Sequence, residues 1–195
     1  MTDKVVVLAS ASPRRRELLG RLIARFTVMP SDVDEQLTPG SIGDAIARLS
    51  HEKAQAVAAA AGPSVIIAAD TMVVIDGAAL GKPLDQADAA SMLRRLRGRE
   101  HEVITGVTVL DGAAGRSWTA TEVSRVVMAR YTDEVLDRYV DSGAPLDKAG
   151  AYAIQDLGGA LVDAVVGSYT NVIGLPLVLT ARLLAAADVP VSVPA

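Results

Sequence analysis

Apolar residues along the chain fall into two patterns: short runs bounded by Gly, Pro, Asp or Ser, and longer stretches with an apolar position every three or four residues. The first pattern marks buried strands and the second amphipathic helices. Lys4 to Ala9 reads as a strand. Ser12-Pro13 then supplies an N-cap and a proline at the first helical position, with Leu18, Leu19, Leu22 and Ile23 behind them. A strand, a tight turn and a helix N-terminus in succession make a place for an anion. A strand over Phe26 to Met29 and a polar loop around Asp32 to Gly40 lead into a long helix from about Ile42 to Ala61, which Gly62-Pro63 stops. Val65 to Ile75 is a nearly continuous apolar run interrupted by Asp70-Thr71 and ended by the hairpin signal Asp76-Gly77. A helix over Asp85 to Leu96, paired strands over Glu102 to Leu110 and Ser117 to Met128, and a Thr132-capped helix reaching about Val140 come next. A Gly-rich loop region, a short strand near Ala160 to Val165 and a helix from about Pro176 to Ala186 complete the pattern. The expected class is mixed α/β with one central sheet and no internal repeat.

Composition narrows the chemistry. With 195 residues, 50% of them hydrophobic, the chain suits one domain or two small lobes sharing a core, and disorder is excluded. The chain has no cysteine, which removes disulfides, thiolate zinc sites, iron–sulfur clusters and a cysteine nucleophile. Its two histidines, His51 and His101, cannot build an imidazole-rich metal site. A catalytic metal is therefore expected to be a hard cation, magnesium or manganese, held by carboxylates and water. The net charge of −4 argues against a nucleic-acid coat. Val5 to Leu8 is too short for a secretory segment, follows Asp3-Lys4 and precedes three arginines. The uncharged stretch Ala164 to Ala181 is punctuated by Gly167, Gly174 and Pro176, so it is not a membrane span. A cytoplasmic protein with no membrane or nucleic-acid partner is expected.

Charges on apolar faces are the informative residues, because burying them costs several kcal/mol unless they are paired or bound. Arg15 shares the face of Leu18, Leu19 and Leu22, whereas Arg14 and Arg16 point elsewhere, and it sits in the first helical turn, where a cation opposes the helix dipole. It reads as half of a phosphate site or as part of a solvated basic patch. Lys53 lies among Ile46, Leu49, Ala56, Val57 and Ala60 at helical spacing, either bound to something or snorkelling to the surface. Asp70 interrupts a strand that must be buried, which suits a metal ligand or base, or one half of a structural ion pair. If Asp76-Gly77 closes a two-residue hairpin, Ile75 pairs with Ala78 and the register carries Lys82 opposite Thr71, beside Asp70. Asp34-Glu35 adds loop carboxylates, and the segment Asp147 to Gln155 combines glycine, charge and an amide. His101, at the start of a strand, reads as structural.

Taken in order, these residues resemble the Maf family, the septum-formation-inhibitor-like nucleoside triphosphate pyrophosphatases. The resemblance rests on Ala9-Ser10-Ala11-Ser12-Pro13-Arg14-Arg15, Asp34-Glu35, Glu52-Lys53-Ala54, Ala69-Asp70-Thr71, Leu80-Gly81-Lys82-Pro83, Gly98 to Val107, Asp147 to Gln155 and Asn171 to Pro176, and covers roughly the whole chain. It implies an elongated mixed sheet flanked by helices, in two lobes with a central cleft, similar to inosine triphosphate pyrophosphatases. It also implies metal-dependent hydrolysis of a nucleoside triphosphate to monophosphate and pyrophosphate, and a frequent homodimer. Asp70 matches the family's proton acceptor and, with Glu35, its metal positions. Arg15, Thr71 and Gln155 match positions that mark the dTTP/UTP-preferring branch. Ser10, Ser12, Arg14, Lys53, Lys82 and Lys148 complete the substrate positions the resemblance implies. Modified pyrimidine nucleotides, a house-cleaning role and a link to cell-division arrest belong to the same expectation. An inosine/xanthosine-type enzyme, or a division regulator with weak catalysis, are the alternatives. Two positions depart from the family: Gly143-Ala144-Pro145 stands where Gly-Glu-Pro is common, so Ala144 replaces a glutamate and Asp147 is the nearby acid, and Asp156 stands where glycine is common.

Overall fold

The computed structural model describes residues 4–33 and 40–191. The apolar runs form strands β1 (Val6–Leu8), β2 (Thr27–Val28), β3 (Val65–Ile75), β4 (Ala78–Leu80), β5 (Glu100–Asp111), β6 (Arg116–Met128) and β7 (Val162–Val166). The helices are α1 (Pro13–Gly20), α2 (Ile42–Ala61), α3 (Gln86–Leu96), α4 (Asp133–Asp141), α5 (Tyr169–Ile173) and α6 (Leu177–Ala186), all but α5 on stretches where the sequence pattern predicts one. The strands join one mixed sheet in the order β2-β1-β3-β5-β6-β7, with β4 paired to β3. The expected α/β class with a single sheet is what forms. No helix among the described residues is long and apolar enough to cross a membrane.

The chain divides into two compact units. One takes in Met1–Asp70, Thr105–Glu122 and Gly174–Ala195; the other takes in Thr71–Ile104 and Val123–Ile173.

In the first unit β1 lies parallel to both neighbours, with Leu8 opposite Val28 on one side and Ile67 on the other. Ser12 is extended and its hydroxyl accepts from Arg15 N at 3.4 Å, capping α1 with Pro13 behind it, as the sequence predicts. Ser41 caps α2 in the same way, accepting from Asp44 N at 3.1 Å. Gly62 ends α2 at a φ of 61°. The buried face of α2 carries Ala45, Ile46, Leu49, Ser50, Lys53, Ala54 and Val57. Ala54 and Val57 pack with Val7, Ala9, Ile66, Ala68 and Leu110 into the apolar layer of this unit. Beside them Ser50 Oγ lies 2.8 Å from Thr108 Oγ1, which lies 2.8 Å from Thr119 Oγ1, so the polar groups under α2 satisfy one another. Gly106 lets α2 settle on β5: a Cβ there would stand 2.7 Å from the Ile46 carbonyl oxygen and 3.1 Å from Ala47 N.

The second unit is built around Val73, Ile75, Leu80, Leu93, Leu96, Val103, Val126, Met128, Leu136, Tyr139 and Tyr152. Asp76 and Gly77 both take positive φ, 53° and 71°, the geometry of the two-residue turn their sequence predicts, and Ile75 pairs with Ala78. The ladder stops at Val73 opposite Leu80, two positions short of the expected pairing of Thr71 with Lys82. Pro83 restricts the residue before it, and the Gly81 carbonyl accepts instead from Gly150 N at 3.0 Å. Asp85 caps α3, accepting from Asp88 N at 2.8 Å. Thr132 precedes α4 in the extended conformation, yet its side chain makes no cap hydrogen bond to the backbone and bonds the Glu134 carboxylate, holding that acid below its usual range.

Three features of this unit differ from the sequence pattern. Residues Leu157–Leu161 curl into a 3-10 turn, so the strand near Ala160 begins at Val162. Two further 3-10 turns, Ala144–Asp147 and Ala149–Ala151, organise what composition marks as a loop. Tyr169–Ile173 forms a short helix whose Asn171 is fully buried. The Asn171 amide donates to the Val103 carbonyl at 2.9 Å and to Ser124 Oγ at 3.0 Å.

Candidate active site

In the first unit β1 runs parallel to β3 and ends at Leu8 opposite Ile67, while β3 continues through Asp70. The turn after β1 therefore lies at the usual ligand edge of α/β sheets, the C-terminal end of a parallel strand, beside the middle of β3. Ala9 N donates to Ile67 O at 2.8 Å, which sets the turn Ala9–Ser12 beside the stretch of β3 that leads to Asp70. Ser10 is buried and its hydroxyl accepts from Ser12 N at 3.2 Å. Arg14 and Arg15 are both half-buried, whereas Arg16 is exposed. Arg15 Nε donates to the Gly174 carbonyl at 2.9 Å, and its Nη1 reaches Ser10 Oγ at 3.5 Å. The guanidinium is thus held in the first turn of α1, where the exposed amides of the helix start also favour an anion.

Lys53 does not snorkel. Its Nζ donates to Asp70 Oδ1 at 2.6 Å, with both side chains only 7% exposed. The acid that breaks the apolar pattern of β3 and the base that breaks that of α2 therefore satisfy each other. Glu35, the second carboxylate expected near a metal, lies outside the described residues. Among the described residues no three His, Cys, Asp or Glu side chains gather as a ready metal cage.

The second unit carries Thr71, Lys82, Lys148 and Gln155. Lys82 and Gln155 are exposed, Thr71 is half-buried, and Lys148 is buried. Lys148 Nζ donates to Asp147 Oδ1 and to the Ala144 carbonyl, both at 2.6 Å, and lies 4.0 Å from Asp156 Oδ2. Both departures from the family pattern thus bear on one lysine: Ala144 reaches it through its backbone, and Asp147 and Asp156 supply carboxylates.

Sequence reasoning gave no role to Asn171 or to the partner of His101. The His101 ring stands edge-on to Tyr152 with centroids 5.5 Å apart, and its Nε2 lies 2.7 Å from the Tyr152 hydroxyl. Burial lowers the His101 pKa from 6.5 to about 4 and raises that of the Tyr152 hydroxyl. The folded state therefore favours neutral His101, while the unfolded chain takes up a proton below pH 6.5. Stability from this group is complete above pH 6.5 and falls as pH drops toward 4, by about 3 kcal/mol in all. Denaturant titrations of the wild type and His101→Gln from pH 7 to 4 check this. The difference between them should change by that amount, and parallel profiles would contradict it.

The first unit is an α/β framework with a serine turn and an arginine at its ligand edge and a buried carboxylate on its central strand. The chain belongs to the Maf family: the model of the family described as Maf-like protein matches residues 5–187. It is 51% identical over 188 residues to the dTTP/UTP pyrophosphatase of Anaeromyxobacter dehalogenans (strain 2CP-C), covering 95% of each chain. It is 48% identical to the protein of that name from Myxococcus xanthus (strain DK1622), covering 95% of this chain and 94% of the relative. The Desulforamulus reducens dTTP/UTP pyrophosphatase is 43% identical, over 88% of this chain and 91% of its own. Among solved structures, the HAM1 protein from Coxiella burnetii matches 66% of this chain and 74% of its own at 19% identity, with a TM-score of 0.45.

Proposed function

We propose that the chain hydrolyses nucleoside triphosphates, dTTP and UTP foremost, to the monophosphate and pyrophosphate by attack of water at the α-phosphorus. Relatives that carry the name dTTP/UTP pyrophosphatase over about nine-tenths of the chain or more support the substrate. The observation that carries the chemistry is the buried Lys53–Asp70 pair, a carboxylate held in a fixed orientation beside the ligand edge of the sheet.

In this reading Ser10, Ser12, Arg14, Arg15 and the start of α1 hold the phosphates, because hydroxyls, guanidinium groups and helix-start amides all donate to phosphate oxygen. Lys53 donates to Asp70 Oδ1 and fixes the carboxylate plane, and it offers positive charge to the triphosphate. Asp70 orients the attacking water and accepts its proton. Thr71, Lys82, Lys148 and Gln155 contribute to substrate recognition, with Gln155 offering both a donor and an acceptor to a base edge.

A divalent cation, magnesium or manganese, belongs to the same proposal. The donor chemistry fits: Asp70 offers hard carboxylate oxygen, Glu35 is the second expected ligand, and the chain has no cysteine to favour a softer metal. Its remaining ligands would be water and phosphate oxygens of the substrate. When bound, such an ion neutralises charge on the phosphates and on the departing pyrophosphate. A cytoplasmic location goes with this substrate class.

A nucleotide panel tests the reading: dTTP, UTP, CTP, ATP, GTP and ITP with magnesium or manganese, products separated by ion-exchange chromatography. Monophosphate and pyrophosphate should form fastest from dTTP and UTP. Faster turnover of ITP would replace the pyrimidine assignment with an inosine-type activity, and binding without turnover would favour a regulatory role.

A further inference from the structure

The loop that carries Lys148 and Gln155 is held by more contacts than its composition suggests. Gly150 N donates to the Gly81 carbonyl at 3.0 Å. A Cβ on Gly150 would stand 2.8 Å from Val73 Cγ2, so the loop lies directly on β3 within the second unit. Ala153 N donates to the Tyr139 hydroxyl at 3.3 Å. Gly158 leaves room for that same hydroxyl, which would be 2.6 Å from a Cβ. Between these anchors Ala151 takes a φ of 61°, a conformation that L residues with a Cβ disfavour and that persists only when its surroundings enforce it.

Tyr152 follows directly. Its ring is buried at 5% exposure, and its hydroxyl meets His101 Nε2 on β5, itself 3% exposed. His101 Nδ1 is buried and has no hydrogen-bond partner among the described residues. A nitrogen left unmet in the interior weakens a core, so the histidine is a poor choice if filling space were its only task. An apolar ring would pack there without that defect. What the histidine adds is direction: a 2.7 Å hydrogen bond from a sheet strand fixes where the Tyr152 hydroxyl sits, and with it the backbone four residues after Lys148 and three before Gln155.

We propose that His101 is a positioning residue for nucleotide recognition, acting through Tyr152 to hold the 148–156 loop and so set the preference for dTTP and UTP. The discrimination part rests on the function proposed above; the anchoring part does not.

The test uses Tyr152→Phe, which deletes one oxygen and keeps the ring, with His101→Leu and His101→Gln, whose amide can still meet the hydroxyl. Amide hydrogen exchange reads the loop, and steady-state kinetics with dTTP, UTP and CTP read discrimination. Tyr152→Phe and His101→Leu should speed exchange within 148–156 and raise KM for dTTP and UTP about fivefold, the worth of one hydrogen bond, with kcat nearly unchanged. The preference over CTP should narrow, and His101→Gln should recover most of the loss. Unchanged exchange and KM in folded Tyr152→Phe would overturn the proposal, as would faster exchange spread evenly over the whole protein. If His101→Leu does not fold, Tyr152→Phe carries the decision alone. If the wild type turns over no nucleotide, the functional reading and the discrimination claim fall together, while exchange localised to 148–156 would still uphold the anchoring.

Discussion

Asp70→Asn is expected to lower turnover of dTTP and UTP roughly a thousandfold, the usual worth of a positioned general base. The variant keeps the size of the side chain but removes the charge that accepts a proton and binds a cation. It also removes the negative charge that meets the Lys53 ammonium, which is only 7% exposed. Breaking one partner of such a pair costs about 3 kcal/mol or more, so a lower melting temperature should accompany the lost activity. The two effects separate in a double variant. Lys53→Met with Asp70→Leu replaces the pair by apolar groups, an exchange that is often neutral in a buried site. Stability should return toward wild type while turnover stays lost. Full turnover in folded Asp70→Asn would remove this carboxylate from the chemistry.

Gly106→Ala should be strongly disruptive to the first unit. The added carbon would stand 2.7 Å from the Ile46 carbonyl oxygen, 3.0 Å from its carbonyl carbon and 3.1 Å from Ala47 N, all main-chain atoms that cannot swing aside. Either α2 shifts away from β5 or the strand bends. Overpacking of this kind costs about 3 kcal/mol at the upper end of its usual range, which for a chain of this size lowers the melting temperature by roughly 6–12 °C. Because Lys53 rides on α2 two turns after Ile46, activity should fall as well. Thermal melts with parallel assays check both; a wild-type melting temperature would show that α2 does not rest on Gly106 as described.

The glycine contact shows where sequence reading stops. That Thr105-Gly106-Val107 lies in a strand was legible from alternation, but that a helix backbone presses on Gly106 depends on how α2 crosses β5. The anomalies at Lys53 and Asp70 were legible because a charge breaks an apolar period in each element. Their pairing was not, since 17 residues and the end of a helix separate them; hairpin register pointed to Lys82 instead. That register held from Ile75–Ala78 to Val73–Leu80 and ended where Gly81 turned its carbonyl to Gly150. Arg15 stood out as a cation at a helix start, while its bond to the Gly174 carbonyl joins residues 159 positions apart. The burial of Asn171 was hidden in an uncharged stretch that reads as turns. For Lys148 the residue pattern suggested only a charged loop and for Gln155 a loop amide able to read a base edge; the family resemblance supplied their expected roles.

The central claim is that Asp70 directs water onto the α-phosphorus, and hydrolysis of dTTP in ¹⁸O-labelled water with mass spectrometry of the products tests it most directly. Label should appear in thymidine monophosphate with unlabelled pyrophosphate beside it, and Asp70→Asn should form that labelled product roughly a thousandfold more slowly. Label in pyrophosphate, or release of orthophosphate with the diphosphate, would place the attack on another phosphorus and contradict the account.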